Sequence, residues 1–187
     1  MTIQAEDFMY FGKKQYTLID VEEGKQMIDC ADFIMPMYNG AIRYTTACWR
    51  GYTAKYYVIR KILYGTKSHD IFAKCSKFKK ITSLRTIIPY TGSCIIAYGG
   101  GWNSDFIQSY LDYGEALELY FEQGVLKDKL SLISAIEKAR AISKTAEYNK
   151  RKPCERGSLR KQIAREPLKY RYDENTYKWR KKTVDIA

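Results

Sequence analysis

This chain has very little of what usually builds a catalytic or metal centre. It carries one histidine, His69, so neither a zinc site with several His ligands nor a pair of imidazoles can form. Its five cysteines, Cys30, Cys48, Cys75, Cys94 and Cys154, are odd in number and widely spaced, and no two form a CxxC. With no signal-peptide pattern at the start, that usage points to reduced thiols in a cytoplasmic protein, most of them acting as small buried hydrophobes. A cysteine nucleophile would have only His69, in a polar stretch, as its base. No apolar run approaches the length of a membrane span, so no membrane partner is expected. Gly99-Gly100-Gly101 satisfies neither the P-loop nor the GxGxxG pattern. It reads as a turn ending a sheet, and no cofactor is expected.

What is present is positive charge, gathered at one end. The 187 residues carry a net charge of +11. Residues 138–187 hold sixteen Lys or Arg against six Asp or Glu, whereas residues 1–137 hold sixteen against fifteen. The length suits one globular domain with an appendage, and a hydrophobic content of 45% excludes wholesale disorder. Seventeen Tyr, seven Phe and three Trp favour half-buried antiparallel strands over a helical bundle. The expected fold is therefore α+β, a mainly antiparallel meander or roll with one long C-terminal amphipathic helix and a basic extension.

Along the chain, residues 8–21 read as two strands around the turn Gly12-Lys13-Lys14, and Asn39-Gly40 as a further turn. Thr45 to Tyr64 is the most strand-like stretch, turning at Arg60-Lys61 into Ile62-Leu63-Tyr64. Residues 65–86 read as a polar, Lys-rich loop with a short strand, and 87–98 as one strand interrupted by Pro89 and Gly92. A short helix is expected over 104–111, then a last strand over 116–121 and a turn at Gln123-Gly124. Leu130, Ile133, Ile136, Ala139, Ile142 and Ala146 recur at three- or four-residue spacing. They predict one helix from Asp128, as N-cap, to Asn149, stopped by Pro153. Domain limits of 1–149 and 150–187 follow.

Two segments resemble an uncharacterised family of small bacterial proteins. One is Thr46-Ala47-Cys48-Trp49-Arg50-Gly51-Tyr52. The other runs through Tyr90-Thr91-Gly92 and Asp105-Phe106-Ile107 to Glu118-Leu119-x-Phe121-Glu122-x-Gly124-x-Leu126. Members usually have a second glycine after the first of these triplets and a longer, His-containing stretch after the second. The resemblance covers about residues 10–135 and carries over no activity or site residue. It implies a compact bacterial domain to which a basic extension has been added. Within it, Arg50 reads as stacked on Trp49 and paired with Asp105 or Glu118.

The basic end divides into a connector and a hairpin. A helix is expected over Ser158 to Glu166, ended by Pro167. Leu168 to Lys182 reads as a hairpin in which Tyr172 faces Tyr177 and Tyr170 faces Trp179. The candidate nucleic-acid-binding set is Lys150, Arg151, Lys152, Arg156, Arg160, Lys161, Arg165, Lys169, Tyr170, Arg171, Tyr172, Tyr177, Lys178, Trp179, Arg180, Lys181 and Lys182. Cations neutralise phosphates and aromatic rings stack on bases, which is the composition a single-strand-binding surface needs. The expected role is a non-enzymatic accessory protein that binds RNA or DNA, alone or in a ribonucleoprotein. A second reading is an inhibitor from a phage or mobile element, or a subunit of a defence complex, acting through a protein partner. A third is a metal-dependent nuclease using Asp105, Asp112, Glu118 and Glu122.

Overall fold

The computed structural model describes residues 6–21, 27, 53–68, 86–100, 109–173 and 178–181. In chain order the elements are β1 (Phe8–Phe11), β2 (Lys14–Val21), β3 (Thr53–Ile59), β4 (Ile62–Ser68), β5 (Thr86–Ile87) and β6 (Gly92–Tyr98). A 3-10 turn (Tyr110–Asp112), β7 (Glu115–Glu122) and β8 (Val125–Ser131) follow. The chain then forms α1 (Ile133–Ser143), α2 (Ala146–Lys150), α3 (Pro153–Arg165), β9 (Tyr170–Asp173) and β10 (Lys178–Lys181).

Seven strands close into a barrel in the order β3-β1-β2-β6-β7-β8-β4, with β4 returning to β3. Every pairing is antiparallel except β1 with β3, where Phe8 to Phe11 run alongside Lys55 to Val58. The second edge of β4 is shared. Ile62 pairs with Val125 of β8, and Tyr64 and Gly65 pair with β5. Closure removes the open edges that make a free sheet prone to association.

Two tight turns set the hairpins. Arg60 and Lys61 both have positive φ (49° and 67°), as do Gln123 and Gly124 (49° and 76°). That is the pattern of the two-residue hairpin turn whose twist matches its flanking strands. The barrel interior holds Met9, Tyr16, Tyr56, Leu63, Cys94, Ile96, Leu119 and Phe121. A second core lies outside the barrel, where α1, α3 and the 3-10 turn cover β6 and β7. Ile95, Ala97 and Ala116 meet Leu111, Leu132, Ile136, Ala139 and Ile163 there. This double burial explains why β6 reads as a continuous apolar run.

The expected α+β meander with one long helix is thereby replaced by a closed seven-stranded barrel with three short helices among the described residues. The long helix fails at both ends. Val125 to Ser131 is strand β8, with strictly alternating exposure, and Asp128 lies within it rather than capping a helix. Leu126 and Leu130 are four residues apart, a spacing that satisfies both the helical and the strand period. The helix begins only at Ile133 and ends at Ser143. Thr145 then caps the separate α2 by accepting from the Tyr148 amide at 3.2 Å. Pro153 opens α3 instead of stopping a helix, since the first helical position needs no N–H donor. The segment 116–121 is not the last strand of the sheet. The interrupted strand 87–98 is two strands, β5 and β6, with Pro89 between them. Trp49, Arg50, Asn39-Gly40 and Asp105 lie outside the described residues, as does most of the expected helix 104–111.

Candidate nucleic-acid interface

The basic surface is built on α2 and α3, and the inner face of α3 is pinned to the barrel. Ile163 is buried, and Leu159 and Ala164 pack beside it in the outer core. The Tyr110 hydroxyl donates to the Ala164 carbonyl at 2.7 Å. Arg160 pairs with Asp112, and Lys138 pairs with Glu166 at 2.6 Å. The Glu155 carboxylate accepts from the Lys152 amide at 3.1 Å, closing the first turn of α3. What is left facing outward is predominantly cationic, with Glu147 and Glu155 as exposed carboxylates among the basic residues. Lys150, Arg151, Lys152 and Lys161 are exposed and have no ion pair among the described residues. The Arg156 guanidinium lies 5.9 Å from the centre of the Tyr148 ring. A shallow open groove of about 520 Å³ runs along α3, lined by Ser158, Lys161, Gln162, Arg165 and Glu166.

The hairpin β9–β10 is attached to the barrel by its first residues. Glu118 of β7 is only 2% exposed and points away from the interior. Its carboxylate accepts from the Ser93 hydroxyl at 2.7 Å, the Lys169 amide at 2.8 Å and the Tyr170 amide at 3.4 Å. The Tyr170 ring stacks on Tyr120, with centroids 4.0 Å apart and planes 7° from parallel. Its hydroxyl donates to Asp128 at 2.9 Å, and the Lys169 ammonium pairs with the same carboxylate. Burial, then the hydrogen bond to Asp128, pushes the Tyr170 phenol up to about 12.

The Lys169 and Tyr170 hydrogen bonds hold the Asp128 carboxyl below the usual carboxylate range. A carboxyl with a depressed folded-state value stabilises fully above its unfolded value and loses that contribution as pH falls through the folded one. Acidification below about pH 4, the ordinary Asp value, is therefore expected to loosen the hairpin's attachment. The Lys169 and Tyr170 amide resonances, followed by NMR, should shift there, and in Asp128→Asn that shift should vanish.

The candidate residues thus take different roles. Lys150 to Lys152, Arg156, Lys161 and Arg165 sit on or beside α2 and α3. Arg160 is held by Asp112, and Lys169 and Tyr170 anchor the hairpin. The hairpin register differs from the expected one by two residues. Trp179 lies opposite Tyr172, Arg180 opposite Arg171, and Lys181 opposite Tyr170. Tyr177 and Lys182 lie outside the described residues. The sequence reasoning missed Tyr120 and Asp128, and cast Glu118 only as an acid for metal or arginine. A carboxylate alternating outward between Leu117 and Leu119, on a strand covered on both faces, was the available signal.

Of the expected nuclease carboxylates, Asp105 lies outside the described residues and the other three are engaged separately. Asp112 faces Arg160, Glu118 is taken up by Ser93 and the hairpin, and Glu122 lies 3.8 Å from Lys127. Among the described residues no three His, Cys, Asp or Glu are grouped to hold a metal. Burial, and secondarily Glu118, raises the Cys94 thiol well above its ordinary value, which keeps it protonated and unreactive. No helix of the described residues is long and apolar enough to cross a membrane.

Fold and surface together define a small closed β-barrel with a cationic helical flank and an anchored two-stranded arm. No protein-family model, curated protein or solved structure gives a significant match to this chain.

Proposed function

We propose that this chain is a non-enzymatic accessory protein that binds RNA or DNA through the outward face of α2 and α3 and the β9–β10 arm. The observation that carries the proposal is the set of exposed cations at Lys150, Arg151, Lys152 and Lys161, which have no ion pair among the described residues and outnumber the exposed carboxylates Glu147 and Glu155 on the same two helices. Neighbouring cations without counter-charges repel one another, and a polyanion relieves that repulsion while releasing its condensed counterions.

The test is fluorescence anisotropy of the full chain with labelled single-stranded RNA, single-stranded DNA and duplex DNA over a salt series. Replacing Lys150, Arg151, Lys152 and Lys161 together by Ala should weaken binding and lower the salt slope by about 0.7 per lost single-strand phosphate contact. An unchanged slope, or no binding by the parent protein at low salt, would remove the proposal.

The scaffold can be strengthened without touching that charge. Gly157 lies inside α3, and a Cβ there meets nothing within 4 Å. Gly157→Ala is expected to stabilise by about 0.5–1 kcal/mol, as for other helix-interior glycines, read as a small rise in melting temperature. Nucleic-acid affinity and its salt slope should stay the same.

A further inference from the structure

The helices cover one side of the barrel, and the opposite side carries an apolar face that neither core uses. The alternation that turns Met9, Tyr56 and Leu63 inward turns Tyr10, Tyr57 and Tyr64 outward. Register aligns these three tyrosines in one row across β1, β3 and β4, and the row continues to Ile87 of β5. The next row runs from Ile59 through Ile62 to Val125 of β8. Ile87, Ile59 and Val125 are 55%, 38% and 37% exposed. Among the described residues, none of these side chains belongs to the interior or the outer core.

The rim of this face is mainly positive; Glu122, opposite Val125, is matched by Lys127 at 3.8 Å. Arg60 and Lys61 stand exposed in the turn between Ile59 and Ile62, Lys13 in the turn after β1, and Lys55 beside Tyr57. None of the four has an ion pair among the described residues.

We propose that this face docks a protein partner that presents an apolar anchor bordered by carboxylates. Charge complementarity selects the border, since rim cations with no ion pair among the described residues match acidic groups and disfavour a second copy of this +11 chain. The surface chemistry selects protein over nucleic acid. Ile59, Ile62, Ile87 and Val125 offer no ring on which a base can stack. Tyr10 and Tyr57 stack on each other, centroids 4.8 Å apart and planes 7° from parallel, so their inner ring faces are already covered. Aromatic side chains and arginine around an apolar centre are the composition of an interface core. The four strands β1, β3, β4 and β5 span roughly 14 Å at ordinary strand spacing, wide enough to seat a helix or an extended segment.

The probe is a displayed library of random dodecapeptides, selected on immobilised full-length protein at physiological ionic strength after nuclease treatment. Enriched peptides, synthesised and measured singly, should combine aliphatic or aromatic anchors with Asp or Glu. Their affinity should fall about tenfold or more in Ile59→Glu and in Arg60→Glu, as expected for residues at an interface centre. It should be unchanged when Lys150, Arg151 and Lys152 are replaced by Ala. Val125→Glu, at a second exposed position of the same row, serves if Ile59→Glu fails to fold. No enrichment, no acidic bias, or equal binding to the variants would overturn the proposal. So would self-association of the parent protein that Val125→Glu abolishes, or a single-stranded RNA that crosslinks to Tyr57 or Tyr64.

Discussion

Replacing Gly124 by Ala should be among the most damaging single substitutions in this chain, costing about 3–5 kcal/mol and lowering the melting temperature by roughly 10 °C or more. Gly124 has φ +76°, a conformation that costs an L-residue about 1–2 kcal/mol. A Cβ there would also sit closer than 3.0 Å to the Ile88 carbonyl oxygen, and 3.6 Å from the Pro89 Cα, so backbone must move. The position matters because it lies at the barrel's seam. The Gly124 amide donates to the Tyr90 carbonyl at 2.8 Å, its carbonyl accepts from Leu63 at 2.8 Å, and Leu126 donates to Lys61 at 2.7 Å. Ile62 with Val125 is the one register pair that joins β4 to β8, so little else holds the two strands together. Gly12 is the matched comparison, with φ +63° and nothing within 4 Å of a built Cβ. Gly12→Ala should cost about 1 kcal/mol, the backbone strain alone. Equal melting temperatures for the two variants would show that the close approach at Ile88 carries no energy.

The parts of this fold that were legible in the sequence are those fixed by neighbours in the chain. The β1–β2 hairpin, the Arg60-Lys61 turn and the Gln123-Gly124 turn all follow from local alternation and turn chemistry. Closure was not legible, because it depends on pairings between distant residues. Phe8 meets Lys55 in the parallel pair, and Ile62 meets Val125 across the seam. Neither pairing leaves a local mark. The misassigned helix has a different origin. Leu130 opens the three- and four-residue apolar spacing that continues through Ile133 and Ile136, so a helix from Asp128 was the local reading until the tertiary pairing of β7 with β8 made residues up to Ser131 a strand. The same pairing exposes Lys127 and Lys129 and puts Asp128 within reach of the hairpin.

The site was legible as charge and not as architecture. Counting Lys and Arg located the cationic end, but composition does not reveal which cations are consumed by folding. Arg160 and Lys169 find carboxylates beside the barrel, whereas Lys150 to Lys152 find none among the described residues. The hairpin's face alternation survived because the register error was two residues, and an even slip keeps each position on its face.

Glu118→Ala should release the arm from the barrel and cost about 3 kcal/mol in the same step. The carboxylate is the shared acceptor of the Ser93 hydroxyl and the Lys169 and Tyr170 amides, and each buried donor left without an acceptor costs about 1–3 kcal/mol. Removing the buried charge itself returns part of that loss, because its desolvation penalty disappears. Glu118→Gln keeps the shape and one acceptor oxygen but turns an NH2 toward groups that also donate, so an intermediate loss is expected. Amide hydrogen exchange at Lys169 and Tyr170 should rise far more than at Ile96 or Leu119 in the interior. With the arm free, the Tyr120–Tyr170 stack, worth about 0.5–1.5 kcal/mol beyond its burial, goes too. Affinity for single-stranded RNA should then fall while the salt slope contributed by α2 and α3 persists, since Lys150, Arg151, Lys152 and Lys161 are untouched. Lower stability with unchanged exchange at Lys169 and Tyr170 would mean that Glu118 serves the sheet through Ser93 alone, and that Asp128 and Tyr120 suffice to hold the arm.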